Sequence, residues 1–128
     1  MTKGQINEQM NYWKISGERN WKATERVPKK IEKKITDYIR ILRADKLPIR
    51  EVILFGSYAK GKQREYSDID LCVISPKFKD PFDAMQYLWV KRADDNTPTI
   101  EPVGFSLKDF KEGSALIKEI KRTGVRIM

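Results

Sequence analysis

The sequence contains no histidine and a single cysteine in 128 residues. The first absence excludes Ser-His-Asp and Cys-His catalysis as well as histidine-ligated zinc, and the second excludes intramolecular disulfides and cysteine metal cages. Cys72 stands inside an apolar run and reads as a buried small hydrophobe. No stretch approaches the roughly 18 consecutive apolar residues of a membrane span. The opening MTKGQINEQMNYWKIS lacks the apolar centre of a secretory signal, so a cytoplasmic location and no membrane partner are expected. Chemistry is left to carboxylates, hydroxyls, backbone amides, lysine or arginine, and a hard metal ion.

What is present is charge. Lys and Arg number 26 against 18 Asp and Glu, a formal balance of +8. The excess is concentrated at the front: residues 1–50 carry 13 basic and 6 acidic residues, and the remaining 78 carry 13 and 12. The front is therefore the candidate surface for an acidic partner. Nucleic acid is a less favoured partner, because the aromatic and basic residues there form no recognition motif. A mass of 15.0 kDa suits one domain.

Residues 1–29 hold Tyr12, Trp13 and Trp21 but are interrupted by Gly4, Gly17 and Pro28, and read as an extension or interaction arm ahead of a domain at 30–128. From Pro28 onward Ile31, Ile35, Tyr38, Ile39 and Leu42 recur at helical spacing, predicting an amphipathic helix that ends before Pro48. Strands are predicted at 50–55, 69–74 and 99–105, the last an edge strand or bulged because it contains Pro102. Phe82, Met85, Leu88 and Trp89 mark a further helix, and Phe110, Leu116, Ile117 and Ile120 one terminal helix stopping near Thr123-Gly124. Asp94-Asp95-Asn96 read as turn formers. The pattern predicts a small α+β (α/β-like) domain, one mixed twisted sheet flanked by helices.

The informative segment is Phe55-Gly56-Ser57-Tyr58-Ala59-Lys60-Gly61 followed by Ser67-Asp68-Ile69-Asp70-Leu71. Side chains alternate along a strand, so Asp68 and Asp70 face the same side, and two adjacent carboxylates suit a hard cation such as Mg²⁺. Gly56 permits a sharp bend after the first strand, and the amides and the Ser57 hydroxyl that follow suit phosphate oxygens. The P-loop pattern is absent. Glu101, inside the third predicted strand, is the best candidate for a third acid in a site able to hold two ions, against the alternative of a solvated edge charge.

GSYAKG and SDIDL, ten residues separating Ser57 from Asp68, with VILF before and VI after, resemble the nucleotidyltransferase superfamily of polymerase-β-like fold, especially its minimal prokaryotic members. The resemblance covers about Ile31 to Gly124. It implies that Gly56 and Ser57 hold the triphosphate, that Asp68 and Asp70 are divalent-metal ligands, and that Glu101 stands where the family often has Asp. Lys60 occupies a position where close relatives commonly have Arg; it keeps the charge and loses the planar fork. A second similarity, Tyr12-Trp13-Lys14-Ile15 through Trp21-Lys22-Ala23-Thr24-Glu25, is to the opening helix of HEPN proteins, helical partners of minimal nucleotidyltransferases in toxin–antitoxin pairs.

The implied activity is Mg²⁺-dependent transfer of a nucleoside monophosphate from ATP or another nucleoside triphosphate to an acceptor hydroxyl, with two ions and a HEPN-like protein as the implied partner. The alternative is a nucleotide-binding antitoxin or regulatory protein whose turnover is weak or lost. Acceptor, base preference and homo-oligomerisation are not specified by these residues.

Overall fold

Three short apolar runs, two of them nearly continuous and buried on both faces, and one amphipathic helix ahead of them, settle most of the architecture. The computed structural model describes residues 27–64, 67–92 and 98–128. Helix α1 (Lys29–Ala44) buries the five residues marked by the sequence periodicity, Ile31, Ile35, Tyr38, Ile39 and Leu42. It ends in a Schellman turn: the Lys46 amide donates to the Arg43 carbonyl (2.9 Å) and the Leu47 amide to the Leu42 carbonyl (3.1 Å). Strand β1 (Glu51–Phe55) runs into a four-residue turn of helix, α2 (Ser57–Lys60), and strand β2 (Ile69–Ile74) follows. Helix α3 (Pro81–Val90) is started by Asp80, whose side chain accepts from the Phe82 amide, with Pro81 in the first turn. Strand β3 is Ile100–Phe105.

The tail departs from the expected single helix. Gly113 adopts φ 85° and divides it into α4 (Leu107–Glu112) and α5 (Ala115–Thr123), each with its own serine cap: Ser106 accepts from the Asp109 amide and Ser114 from the Ile117 amide. A two-residue strand, β4 (Val125–Arg126), then pairs with β1. The sequence pattern did not predict it.

The sheet has the order β3-β2-β1-β4, with β2 and β3 parallel and the other pairs antiparallel. This is the small mixed twisted sheet expected from the sequence. Strand alternation divides the core in two. Val52, Leu54, Ile69, Leu71 and Val73 pack with α1 and α3, whereas Ile53, Phe55, Cys72, Ile74 and Phe105 pack with Phe110, Ile117 and Ile120 of α4 and α5. Cys72 is fully buried, and burial pushes its thiol up to about 12. It is a core residue.

Helix α3 turns a different face inward from the one its large residues suggest. Ala84 and Leu88 are buried, whereas Phe82, Met85 and Trp89 are exposed, Phe82 by 58%. Gly104 supplies the reason: a Cβ there would stand 2.9 Å from the Ala84 Cβ and 2.9 Å from a Leu88 methyl. The helix approaches β3 so closely that position 104 has no room for a side chain.

β3 is an edge strand, as Pro102 indicates, and its outward side is covered. Trp89 Nε1 donates to the Pro102 carbonyl (3.2 Å) and Arg92 to the Ile100 carbonyl (3.2 Å), with the guanidinium stacked 3.9 Å from the Trp89 ring centroid. Among the described residues no helix is long and apolar enough to cross a membrane. The expectation of an arm at 1–29 falls almost wholly outside the described residues, as does that of a turn at Asp94-Asp95-Asn96. Val27 is buried in the core.

Candidate active site

Parallel pairing of β2 with β3 sets Asp70 opposite Glu101, and antiparallel pairing of β1 with β2 sets Phe55 opposite Asp70. Asp70 therefore has Glu101 on one side and the end of β1, with its Gly56 turn, on the other. Asp68 lies two residues before Asp70, immediately ahead of β2, and accepts a hydrogen bond from the Thr99 hydroxyl (3.2 Å). The three acids singled out in the sequence thus gather at one end of the sheet.

The Gly56 turn is built around the Asp70 carboxylate. Gly56 adopts φ 75°, in the region that favours glycine, and a Cβ added there would stand 2.0 Å from Asp70 Oδ2. No side chain caps the start of α2, which begins with the half-buried Ser57.

Electrostatics record the crowding. Burial, then the Asp68 charge, raises the pKa of Asp70. Glu101 is raised first by burial, then by the Asp68 charge and a hydrogen bond with Asp68, and then by the Asp70 charge; Arg92 pulls it back. Tyr58 is raised by burial and by Asp68. Negative charge is costly at this end of the sheet, and a cation would relieve it.

Among the described residues no group of three Asp, Glu, Cys or His side chains is arranged as a finished metal cage. The donor set nonetheless fits a hard divalent ion in kind: the acids offer only oxygen and repel one another. Asp68, Asp70 and Glu101 are the side chains that would hold it.

Lys60 is exposed at the end of α2, and its ammonium is 3.1 Å from Glu119 of α5. Glu119 also pairs with Arg122 at 2.6 Å, and the two cations hold its carboxyl below the usual range. Three neighbours of the acids escaped the sequence reading. Thr99 lies two residues before Glu101, so strand alternation could have found it. Tyr58 and Arg92 had no such signal.

The family model described as "Nucleotidyltransferase domain" matches residues 35–125. A 49-residue stretch is 41% identical to a Methanocaldococcus jannaschii protein named "Putative protein adenylyltransferase", covering 34% of this chain and 49% of that protein. The chain thus spans about half the length of this relative. The crystal structure of "a putative nucleotidyltransferase from Sulfolobus solfataricus" superposes with a TM-score of 0.50 at 17% identity over 84% of each chain, a likeness of fold. A "toxin-antitoxin with AMP-PNP" structure aligns with a TM-score of 0.48 at 25% identity, over 76% of this chain and 72% of that one. The match over residues 35–125, on a mixed sheet that gathers Gly56, Asp68, Asp70 and Glu101 at one end, places the chain in the nucleotidyltransferase domain family as a minimal member.

Proposed function

We propose that the protein transfers a nucleoside monophosphate from a nucleoside triphosphate, with ATP the preferred donor, to a hydroxyl group on a partner protein. The observation that carries this reading is the register of Asp70 with Glu101, with Asp68 two residues upstream and the Gly56-Ser57 turn against Asp70. The transfer forms an ester between the acceptor oxygen and the α-phosphorus and breaks the bond to the β-phosphate. Pyrophosphate departs, and the hydroxyl proton goes to solvent. A divalent ion, when bound, supplies charge neutralisation of the triphosphate and lowers the acceptor's pKa.

The chain's own residues have separable tasks. Asp68, Asp70 and Glu101 hold positive charge at the reacting end, and the strain of their mutual repulsion favours its binding. The Ser57 hydroxyl and the amides after Gly56 hold phosphate oxygens, and Lys60 adds charge at the same turn. Rate comes from positioning and charge neutralisation, so the lack of histidine is no obstacle. A protein acceptor is supported by the relative whose name describes adenylyl transfer to protein. A HEPN-like helical protein is the favoured acceptor, and residues 1–29 are its favoured contact.

The test is incubation of purified protein with each α-labelled nucleoside triphosphate, Mg²⁺ and cell lysate or a co-encoded helical protein. Label on a protein band, lost with Asp70→Asn, is the expected result. Label appearing only on RNA or a small molecule would overturn the protein acceptor. No transfer to any acceptor, with nucleotide binding intact, would overturn the transferase reading.

A further inference from the structure

At the opposite end of β2 from the carboxylates, the C-terminal turn of α1, the turn after β2 and the first turns of α3 line an open cavity of about 500 Å³. Its floor is apolar: Leu47, Phe78 and Ala84 are buried and Tyr87 is half-buried. Gly104 makes room for that floor, since a Cβ there would stand 2.7 Å from the Phe78 ring. The Phe78 and Tyr87 rings are tilted, with centroids 6.2 Å apart.

The rim is charged and unbalanced. Lys46, Lys77 and Lys79 are exposed, and among the described residues none of the three is paired with a carboxylate. Of the two acids, Asp45 is already engaged: it accepts from the Tyr87 hydroxyl and pairs with Lys91 at 3.3 Å. Asp83 lies in the first turn of α3, where the helix dipole favours a negative charge. Lys46 adopts φ 63°, a conformation that usually falls to glycine at this position of a helix end.

We propose that this cavity is a second ligand site, taking a small phosphorylated aromatic molecule of mononucleotide size. The ring lies against Phe78 and Tyr87, and the phosphate sits among Lys46, Lys77 and Lys79. The volume falls within the range of about 300–1,000 Å³ typical of small-molecule sites. Three ammonium groups around an apolar floor complement a ligand with a flat body and an anionic end. The site stands independently of the proposed transfer reaction.

Calorimetric titration of the full-length protein with AMP in EDTA tests the proposal, because no divalent ion is then available to the carboxylate end. AMP is expected to bind saturably, with affinity falling about fivefold or more in the Lys77→Ala, Lys79→Ala double variant. It should be unchanged in the Asp68→Asn, Asp70→Asn double variant. Adenosine and inorganic phosphate should each bind about tenfold more weakly than AMP. AMP binding that survives loss of the lysines, inorganic phosphate binding as well as AMP does, or no AMP binding at about 10 mM would overturn the site. Should the lysine variant fail to fold, proton NMR of the unaltered chain decides. AMP must shift the Phe78 and Tyr87 ring signals, and shifts confined to Tyr58 would overturn the assignment.

Discussion

Gly56 lies so close to the Asp70 carboxylate that a single added carbon would stand 2.0 Å from Oδ2. The positive φ of 75° independently disfavours any side chain there. Gly56→Ala should therefore cost about 2 kcal/mol or more in stability and displace Asp70. Urea unfolding and nucleotide titration check both effects. A variant with unaltered midpoint and affinity would show that the turn has room to yield.

Asp68 and Asp70 should behave as one unit toward a divalent ion. Either change to Asn should lower transfer by about 100-fold or more, and the double variant should lose far less than the product of the two single losses. Unchanged Mg²⁺ affinity in the single variants, measured by calorimetry, would defeat the pairing.

Ser57 should hold phosphate without becoming covalently modified. Ser57→Ala should weaken nucleotide binding by about tenfold and leave transfer measurable. A nucleotidyl group found on Ser57 by peptide mapping would make it a nucleophile.

The raised pKa values of Asp70 and Glu101 carry a sign for stability. Both carboxyls bind protons more tightly folded than unfolded, so their contribution is full below the ordinary values of 3.8 and 4.5. It is lost as pH rises through the higher folded-state values. In EDTA, Asp70→Asn or Glu101→Gln should therefore melt a few degrees above the parent near neutral pH. That advantage should shrink between about pH 7 and about pH 4. Surface pairs such as Asp37 and Glu119, whose pKa values are lowered, titrate in the opposite sense and cancel in the difference. A constant offset across this range would refute the carboxylate origin.

Lys46→Gly should stabilise the fold by about 1 kcal/mol, since glycine adopts the left-handed conformation of the α1 terminus without the Cβ penalty. The same change should weaken AMP binding at the second cavity. Denaturation and titration of one preparation read both.

Much of this site was legible because its elements are short and sharply patterned. Asp68 and Asp70 follow from strand alternation, and the buried face of α1 follows from its periodicity. Glu101 could be nominated from its strand, but only the parallel register of β2 and β3 sets it beside Asp70. Other features depended on tertiary contacts that no local pattern records. The outward turn of Phe82, Met85 and Trp89 depends on Gly104, about 20 positions away in the chain, which draws α3 onto Ala84 and Leu88. The apolar residues of α4 and α5 read as one helix because the break at Gly113 falls between them. The pairing of Lys60 with Glu119 joins residues from distant elements, and β4 is only two residues long.

The blocked rim of β3 determines how another protein can approach. Along this strand the register turns the Ile100 and Pro102 carbonyls outward, where Arg92 and Trp89 occupy them, and Pro102 offers no amide. A visiting extended peptide would find the main-chain positions it needs for β-augmentation taken at two successive places. Growth of the sheet across this rim, whether into a heteromeric complex or a fibril, is disfavoured from the outset. Recognition at this rim therefore has to run through side chains rather than main-chain pairing.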